Sequence, residues 1–211
     1  MSFAASGHRI RQYFRSGWEG IPIGDYSVIA DVSASILRLL REKMTPDPIP
    51  QPELIGLGSP VDKGDFYLSL FLYSVRESGD NRKTQMVSRG AGEIQYPPMT
   101  VDLHYLMTVQ SPAELQSRAL DEQRILGRAM QVLYDHSVLR GPNVVGTLAE
   151  SGEELRVVME NVSGEAMLNM WNYADTPYRL SVSYVVGPVM IDSTRIKSTK
   201  RVLSSDVSIQ G

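Results

Sequence analysis

DEQRILGRAMQVLYDHSVL, residues 121–139, and TPYRLSVSYVVGPVMIDS, residues 176–193, are the two segments that decide the fold of this chain. The first segment repeats apolar residues at helical spacing between arginines, which predicts an amphipathic helix. The second segment passes from Pro-Tyr-Arg into a run of β-branched and aromatic residues, which predicts a long strand over 178–191. Pro188 within that run predicts either a bulge or a position at the edge of a sheet.

The preceding sequence predicts another helix and two more strands. IADVSASILRLLREKM, residues 29–44, places its apolar residues three or four apart on one stripe, as an amphipathic helix does. Residues 66–75 are apolar on both faces, which is typical of a central strand covered on both sides. Residues 99–109 alternate between apolar and polar, which predicts a half-buried strand, antiparallel to 66–75, whose His104 faces solvent.

The remaining elements follow from start signals and short apolar patterns. Ser111-Pro112-Ala113-Glu114 has the pattern of a capping box with proline at the first helical position, so the second long helix is predicted to begin there. Leu155, Val157 and Met159 indicate a short strand, and Ser163 indicates the start of a short helix. Together these elements predict an α+β (mixed α/β) fold: a single domain with a central sheet of about four mostly antiparallel strands flanked by helices.

The composition is that of a globular protein without a strong charge. Hydrophobic residues make up 42% and charged residues 21% of the 211 residues, which allows a buried core. The net charge of −3 gives no reason to expect nucleic acid as a partner. The absence of cysteine excludes disulfides and thiolate chemistry. Because arginines interrupt the first twenty residues and no long uncharged apolar run occurs, we expect neither a secretory signal nor a membrane span.

The sequence offers no motif that indicates catalysis or ligand binding. His8, His104 and His136 are far apart and lack partners at metal-ligand spacing. The glycines at 56–58 and 90–92 are not followed by the helix that a phosphate cradle requires. We therefore expect no enzyme activity, no cofactor and no metal site, and we interpret the chain as a structural part.

These segments, together with FYLSLFLYSVRESGDNR at residues 66–82, resemble the cap, or tube-terminator, proteins of contractile injection systems, the phage-tail-like particles of the antifeeding-prophage and virulence-cassette type. The resemblance extends from about Tyr26 to Ser193. It implies a tail-terminator-like fold and a homohexameric ring that ends the inner tube and contacts the last layer of the sheath. It also implies three partners: this chain itself, the inner tube protein and the sheath protein. Assembly would take place in the cytoplasm, and the particle would then be released or retained.

Four residues are candidate anchors of a subunit interface. Tyr178 and Arg179 begin the last strand, where alternation places Tyr178 with the core and Arg179 opposite. They are therefore either a core tyrosine beside an exposed arginine or an interface site that uses the rigid guanidinium of Arg179. Arg124 and Arg128 lie one turn apart on the second long helix. They either pair with the carboxylates that open the segment 121–139 or face an acidic neighbouring ring.

The two chain ends lie outside the resemblance, which divides the chain into an arm (1–25), a cap domain (26–192) and a tail (193–211). Phe14 and Trp18 recur at helical spacing within the arm, which either docks locally or lies on a neighbouring subunit. The tail ends in an alternating pattern that predicts a strand adding to a neighbour's sheet, with the apolar residues Val202, Val207 and Ile209. Residues 76–98 are charged and glycine-rich, which is typical of a functional or disordered loop.

Two alternatives remain open from the sequence. The first is another ring or connector subunit of a phage-tail-like particle, because such subunits share folds and a fold does not fix a function. The second is a small soluble enzyme whose site is assembled from distant residues. A chain that forms rings favours the structural interpretations, whereas a lone monomer with a deep polar pocket favours the enzyme.

Overall fold

The computed structural model describes residues 24–59, 62, 64–79, 83–88, 92–171 and 177–198. In chain order, the elements are α1 (Val28–Met44), β1 (Ile55–Leu57), β2 (Leu68–Glu77), β3 (Val87–Ser88), β4 (Glu93–Gln95), β5 (Met99–Val109), α2 (Leu115–Asp135), β6 (Val138–Leu139), α3 (Thr147–Ser151), β7 (Leu155–Glu160), α4 (Gly164–Met170), β8 (Ser181–Ile191) and β9 (Ile196–Ser198). Short 3-10 turns precede β1 and follow β6.

The main sheet has six strands in the order β1-β2-β5-β8-β7-β6. The β1–β2 pair is parallel and the other four pairs are antiparallel. The sequence correctly predicts the mixed α+β class and the four long strands β2, β5, β7 and β8. Its count of about four strands is too low because the edge strands β1 and β6 contain three and two residues, too few to show a periodic pattern.

The helices α1 and α2 pack on one face of this sheet, called here the inner face. From α1, the buried side chains include Val32, Ile36 and Leu40. They join the same core cluster as apolar residues of α2 and the alternating inward residues of β5, β7 and β8. Burial at about 25 cal/mol per Å² of apolar surface is what holds the helix layer on the sheet.

The strand β5 is buried on both faces, which corrects the sequence interpretation. Its predicted core residues Leu103, Tyr105 and Met107 are indeed buried. His104 and Thr108, expected to face solvent, are 6% and 4% exposed. The neighbours β2 and β8 flank β5 along nearly its whole length, and side chains on the same face contact these two residues, with Glu160 at His104 and Ser181 at Thr108.

For the strand β2, the sequence interpretation overestimates burial. Its apolar character on both faces predicts a strand covered on both sides. Leu68 and Leu70 are buried, but residues 71–74 are half-buried and residues 75–77 are exposed. The end of β2 is therefore open on both faces, and Val75, at 46% exposure, leaves apolar surface available there.

The bulge predicted at Pro188 is present in β8, while the predicted edge position is wrong. Val101 pairs with Val189 and Leu103 pairs with Val186, so β8 holds one residue more than β5 over this interval. The strand itself lies centrally, between β5 and β7. A bulge leaves a residue outside the ladder, which accommodates a proline that cannot donate a hydrogen bond.

The capping box predicted at residues 111–114 does not form, and α2 begins at Leu115. The hydroxyl of Ser111 accepts a hydrogen bond from the backbone N–H of Ala113 and donates to the carboxylate of Asp121. The backbone N–H of Ser111 donates to Glu122, at 3.2 Å. Ser111 therefore ties the end of β5 to the middle of α2 instead of capping the first turn.

A second sheet of three strands joins the segment 76–98 to the beginning of the tail. Its order is β3-β4-β9, and both pairs are antiparallel. The described part of the predicted loop thus contains two short strands, and residues 196–198 of the tail pair with their own chain. The residues Val202, Val207 and Ile209, on which the strand-addition hypothesis rests, lie outside the described residues.

Candidate interaction surfaces

A polar cluster occupies the outer face of the main sheet, where four adjacent strands contribute one side chain each. The Oε2 atom of Glu160 on β7 accepts hydrogen bonds from the hydroxyls of Tyr73 and Ser183, both at 2.9 Å. The same atom lies 3.0 Å from Nδ1 of His104. Sequence reasoning missed this cluster, because its members are distant in sequence and His104 was assigned to solvent.

The electrostatics of the cluster favour a charged Glu160. Burial raises the pKa of this carboxyl, but the hydrogen bonds from His104, Tyr73 and Ser183 lower it by more, and the net shift is downward. Burial also raises the pKa of Tyr73. The side chain of Glu160 is 24% exposed. The cluster therefore presents a carboxylate at the surface, and contacts with Tyr73, His104 and Ser183 fix its position.

This arrangement is not that of a nucleophilic triad. In a triad the imidazole contacts the serine hydroxyl, and the carboxylate contacts the other ring nitrogen. Here Ser183 and His104 both contact the carboxylate of Glu160, and Ser183 is 1% exposed. The geometry joins β2, β5, β7 and β8 across the sheet and leaves the serine without a base.

A second buried carboxyl lies at the start of β7. Both carboxylate oxygens of Glu153 are buried and have no hydrogen-bond partner among the described residues. Burial raises the pKa of Glu153 to about 7, the charge of Lys83 lowers it and the charge of Asp192 raises it. Desolvation of this kind disfavours the ionised form, so the protein carries a carboxyl that titrates near neutral pH.

The structure places Tyr178 and Arg179 differently from the sequence interpretation. Tyr178 is 51% exposed and packs edge-on against Trp171, with ring centroids 6.0 Å apart. It is not a core tyrosine. Arg179 is half-buried and lines a small cleft together with Asp62 and Phe66. The two residues precede β8, which begins at Ser181, so strand alternation does not govern them.

The two candidate arginines of α2 have separate environments. Arg128 donates to the backbone carbonyl of Lys43 at 3.1 Å and to the side chain of Gln131 at 2.8 Å. It thereby caps the end of α1, which is neither of the two roles foreseen for it. Arg124 is exposed and has no hydrogen-bond or ion-pair partner in the described part of the chain. The anchors Phe14 and Trp18 fall outside the described residues.

The first half of α2 projects from the molecule. All residues from 114 to 120 are exposed, with Leu115 at 82% and Leu120 at 58%. Tyr134 near the other end of the helix is also 82% exposed. The buried residues of this helix all lie from its middle onward, and they are Ile125, Leu126, Ala129, Val132 and Leu133.

The described residues show neither a metal-binding cluster nor a membrane-spanning helix. Over the residues that the structure describes, no three His, Asp or Glu side chains come together in a way that could hold a metal ion. Within the same residues, no helix combines the length and the apolar character needed to cross a membrane.

The chain belongs to the Pvc16 N-terminal domain family, whose model matches residues 31–205. This match covers most of the chain, begins within α1 and includes every later element through β9. A search of curated protein sequences finds no match to the chain.

Two solved structures share the fold. One is the sheath/tube terminator of the extracellular contractile injection system PVC in its extended state, with a TM-score of 0.59 and 20% identity over 87% of this chain. The other is the tube-terminating cap of the anti-feeding prophage, with a TM-score of 0.58 and 19% identity over 85% of this chain. The chain spans 63% and 61% of the length of those two chains, respectively.

Proposed function

We propose that this chain is a structural cap of a contractile injection system, which terminates the inner tube and contacts the last layer of the sheath. The observation that carries the proposal is the match of residues 31–205 to the Pvc16 N-terminal domain family. The shared fold with a sheath/tube terminator and with a tube-terminating cap supports it. The chain acts by surface contacts and performs no catalysis.

The proposed partners are a second copy of this chain, the tube protein and the sheath protein. A terminator must bind the last ring of a growing tube on one side and offer no further growth surface on the other. A closed ring of identical subunits meets this requirement, because cyclic symmetry matches that of a tube. We propose a homohexamer that assembles in the cytoplasm as part of the particle.

The chain ends are proposed to extend the contacts of the cap domain. The arm of residues 1–25 carries Phe14 and Trp18, and aromatic side chains of this kind anchor interfaces. The tail beyond Ser198 carries an alternating apolar pattern that suits strand addition to a neighbouring sheet. Both ends therefore act on partners, while the domain of residues 26–192 forms the ring.

The test is deletion of the gene for this chain in cells that produce the particle, followed by electron microscopy of the purified particles. We expect tubes and sheaths of uncontrolled or aborted length, and restoration of normal length by the chain supplied from a plasmid. Particles of normal length and normal contraction in the deletion strain would overturn the proposal. The same plasmid without the coding sequence serves as the control.

A further inference from the structure

One side of α2 carries an exposed stripe of residues. Its residues follow each other at intervals of four, three, four and three, which keeps them on one side of a helix. All are exposed, and they are Leu120, Arg124, Gly127, Gln131 and Tyr134. Asp135 continues the stripe at its end and is exposed as well. We call these six residues the helix stripe.

The helix stripe lies opposite the packed side of α2. At 3.6 residues per turn, its members point away from Ile125, Ala129 and Val132, which are buried against the sheet. Gly127 sits in its middle, and a Cβ atom added there would meet no atom within 4 Å. A glycine in an exposed helix interior weakens the helix, but it also permits close approach of another chain.

The outer face of β7 carries a second exposed stripe, called here the strand stripe. Residues alternate between the two faces of a strand, so Arg156, Val158 and Glu160 share the face opposite the inward residue Val157. Val158 is 51% exposed, and Arg156 is exposed. Glu160 is the carboxylate held by His104 in the polar cluster.

The two stripes match in charge and in length. The helix stripe has Arg124 near one end and Asp135 at the other, about 16 Å apart along the axis. The strand stripe has Glu160 at one end and Arg156 at the other, about 13 Å apart. Arginine side chains are long and flexible enough to bridge the difference between these two charge separations. Antiparallel docking would place each charge against its opposite, and it would place Val158 opposite the middle of the helix stripe, at Gly127 and Gln131.

We propose that the helix stripe of one copy docks on the strand stripe of a second copy. The α2 helix lies on the inner face of the sheet and the strand stripe on the outer face, so the two cannot meet within one chain. A contact between two different surfaces of identical chains is head-to-tail, and such contacts close into a ring when the rotation between subunits permits. The proposal rests on the proposed cap function and assigns the surfaces of its ring.

The test is a charge exchange measured by sedimentation velocity on the full chain. Asp135→Arg and Arg156→Glu change exposed side chains that have no hydrogen-bond or ion-pair partner in the described part of the chain. Each single variant should weaken self-association by roughly tenfold or more, because it places like charges together. The double variant D135R/R156E restores opposite charges and should associate within about threefold of wild type, since neighbouring charges couple strongly.

Two matched controls carry the same charge changes elsewhere on the exposed surface. Glu53→Arg and Lys197→Glu should leave self-association unchanged. Single variants that associate like wild type, or a double variant as weak as the singles, would overturn the docking of these two stripes. Single variants that lose binding to purified tube while wild type stays monomeric would assign the stripe to the tube and equally overturn the proposal.

The same variants separate this inference from the proposed function. A chain whose variants associate normally but whose deletion still disturbs tube length is a cap with other ring contacts. A wild-type chain that stays monomeric at its highest soluble concentration, both alone and on tubes, contradicts the docking proposal. The deletion strain then decides the cap function independently, by particle length.

Discussion

The hydroxyl groups of Tyr105 on β5 and Ser33 on α1 lie 2.7 Å apart, and this hydrogen bond joins the sheet to the helix layer inside the core. Tyr105 is 1% exposed and Ser33 is 7% exposed. Burial raises the pKa of Tyr105 to about 12, although the hydrogen bond with Ser33 opposes the shift. The pair therefore holds a neutral phenol where an ionised one would be poorly solvated.

The first prediction is that Tyr105 makes the fold sensitive to alkaline pH. In the unfolded chain a tyrosine ionises near pH 10. The folded chain therefore binds one more proton between pH 10 and about 12, and the free energy of unfolding falls as pH rises through this range, by about 2–3 kcal/mol. Urea unfolding of wild type and Tyr105→Phe at pH 8 and pH 11 measures this loss. Equal losses in the two proteins would contradict the assignment.

The second prediction concerns Glu153, whose pKa is raised by burial to about 7. The folded chain keeps this carboxyl protonated at pH values where the unfolded chain has ionised it. The free energy of unfolding should therefore fall as pH rises from about 4.5 to 7. Glu153→Gln removes this dependence and should make the protein more stable than wild type at pH 8. Thermal unfolding of both proteins across this range measures it, and parallel curves would refute it.

The third prediction is that His104 stabilises the fold, although its strand position in the sequence is one that usually faces solvent. Replacing it with alanine removes a buried ring beside Glu160 and one of the three groups that contact this carboxylate. We expect a loss of about 1–3 kcal/mol in the free energy of unfolding. His136→Ala, at a partly exposed helix end, is the control and should cost less than about 0.5 kcal/mol. Similar effects at both positions would argue against the cluster.

The fourth prediction compares two glycines that share nearly the same positive φ but differ in ψ, which is −147° at Gly146 and 14° at Gly152. Gly146 has φ +65° and Gly152 has φ +66°. A Cβ atom at Gly146 would lie 2.3 Å from the carboxylate of Asp31, which accepts hydrogen bonds from the backbone and hydroxyl of Thr147. At Gly152 the same atom would meet nothing within 4 Å.

Alanine should cost about 1–2 kcal/mol at Gly152, whose backbone is left-handed helical, and more at Gly146, whose φ and ψ lie in a region that essentially only glycine adopts. Gly146→Ala should cost a further 1–3 kcal/mol, roughly, because the new methyl group displaces Asp31 from the start of α3. Chemical denaturation of the two variants measures the difference directly. Equal destabilisation by the two substitutions would show that the Asp31 contact contributes little.

The fifth prediction uses two truncations that differ by the strand β9. Removing residues 199–211 leaves β9 paired with β4 and should change neither sheet. Removing residues 195–211 also removes β9 and Arg195, whose guanidinium lies 4.0 Å from the ring centre of Tyr96. Hydrogen exchange should then quicken at residues 93–96 while β5 and β8 stay protected. Unchanged exchange at β4 in the shorter chain would disprove the pairing.

Long, regular elements could be predicted from this sequence. Helix α1 and the strands β5 and β8 extend over many residues, so their periodicity emerges clearly from the pattern. Ser163 was also identified correctly, since its hydroxyl accepts from the backbone N–H of Ala166 at 3.2 Å and caps α4. Such signals are local, and the fold preserves them.

Features that depend on distant neighbours could not be predicted in this way. Alternation along β5 shows which residues share a face, but it does not show that neighbouring strands cover the polar face as well. Ser111 has the spacing of a cap, yet it binds Asp121 because the chain brings α2 back over the end of β5. The polar cluster and the helix stripe likewise arise from the arrangement of elements. Of the proposed anchors, Arg124 lies on the helix stripe, whereas Arg128 supports the fold.

The pairing of β9 with β4 has a mechanical consequence for the proposed attachment of the tail to a partner. Three residue pairs connect these strands, whereas nine connect β8 to β5 and five connect it to β7. A pulling force applied to the chain beyond Ser198 would therefore separate β9 from β4 first. This would lengthen the chain between the domain and the point of attachment before the force acted on the main sheet. The small sheet would then supply extra chain length by unfolding, so that an attached chain end could move while the domain keeps its fold.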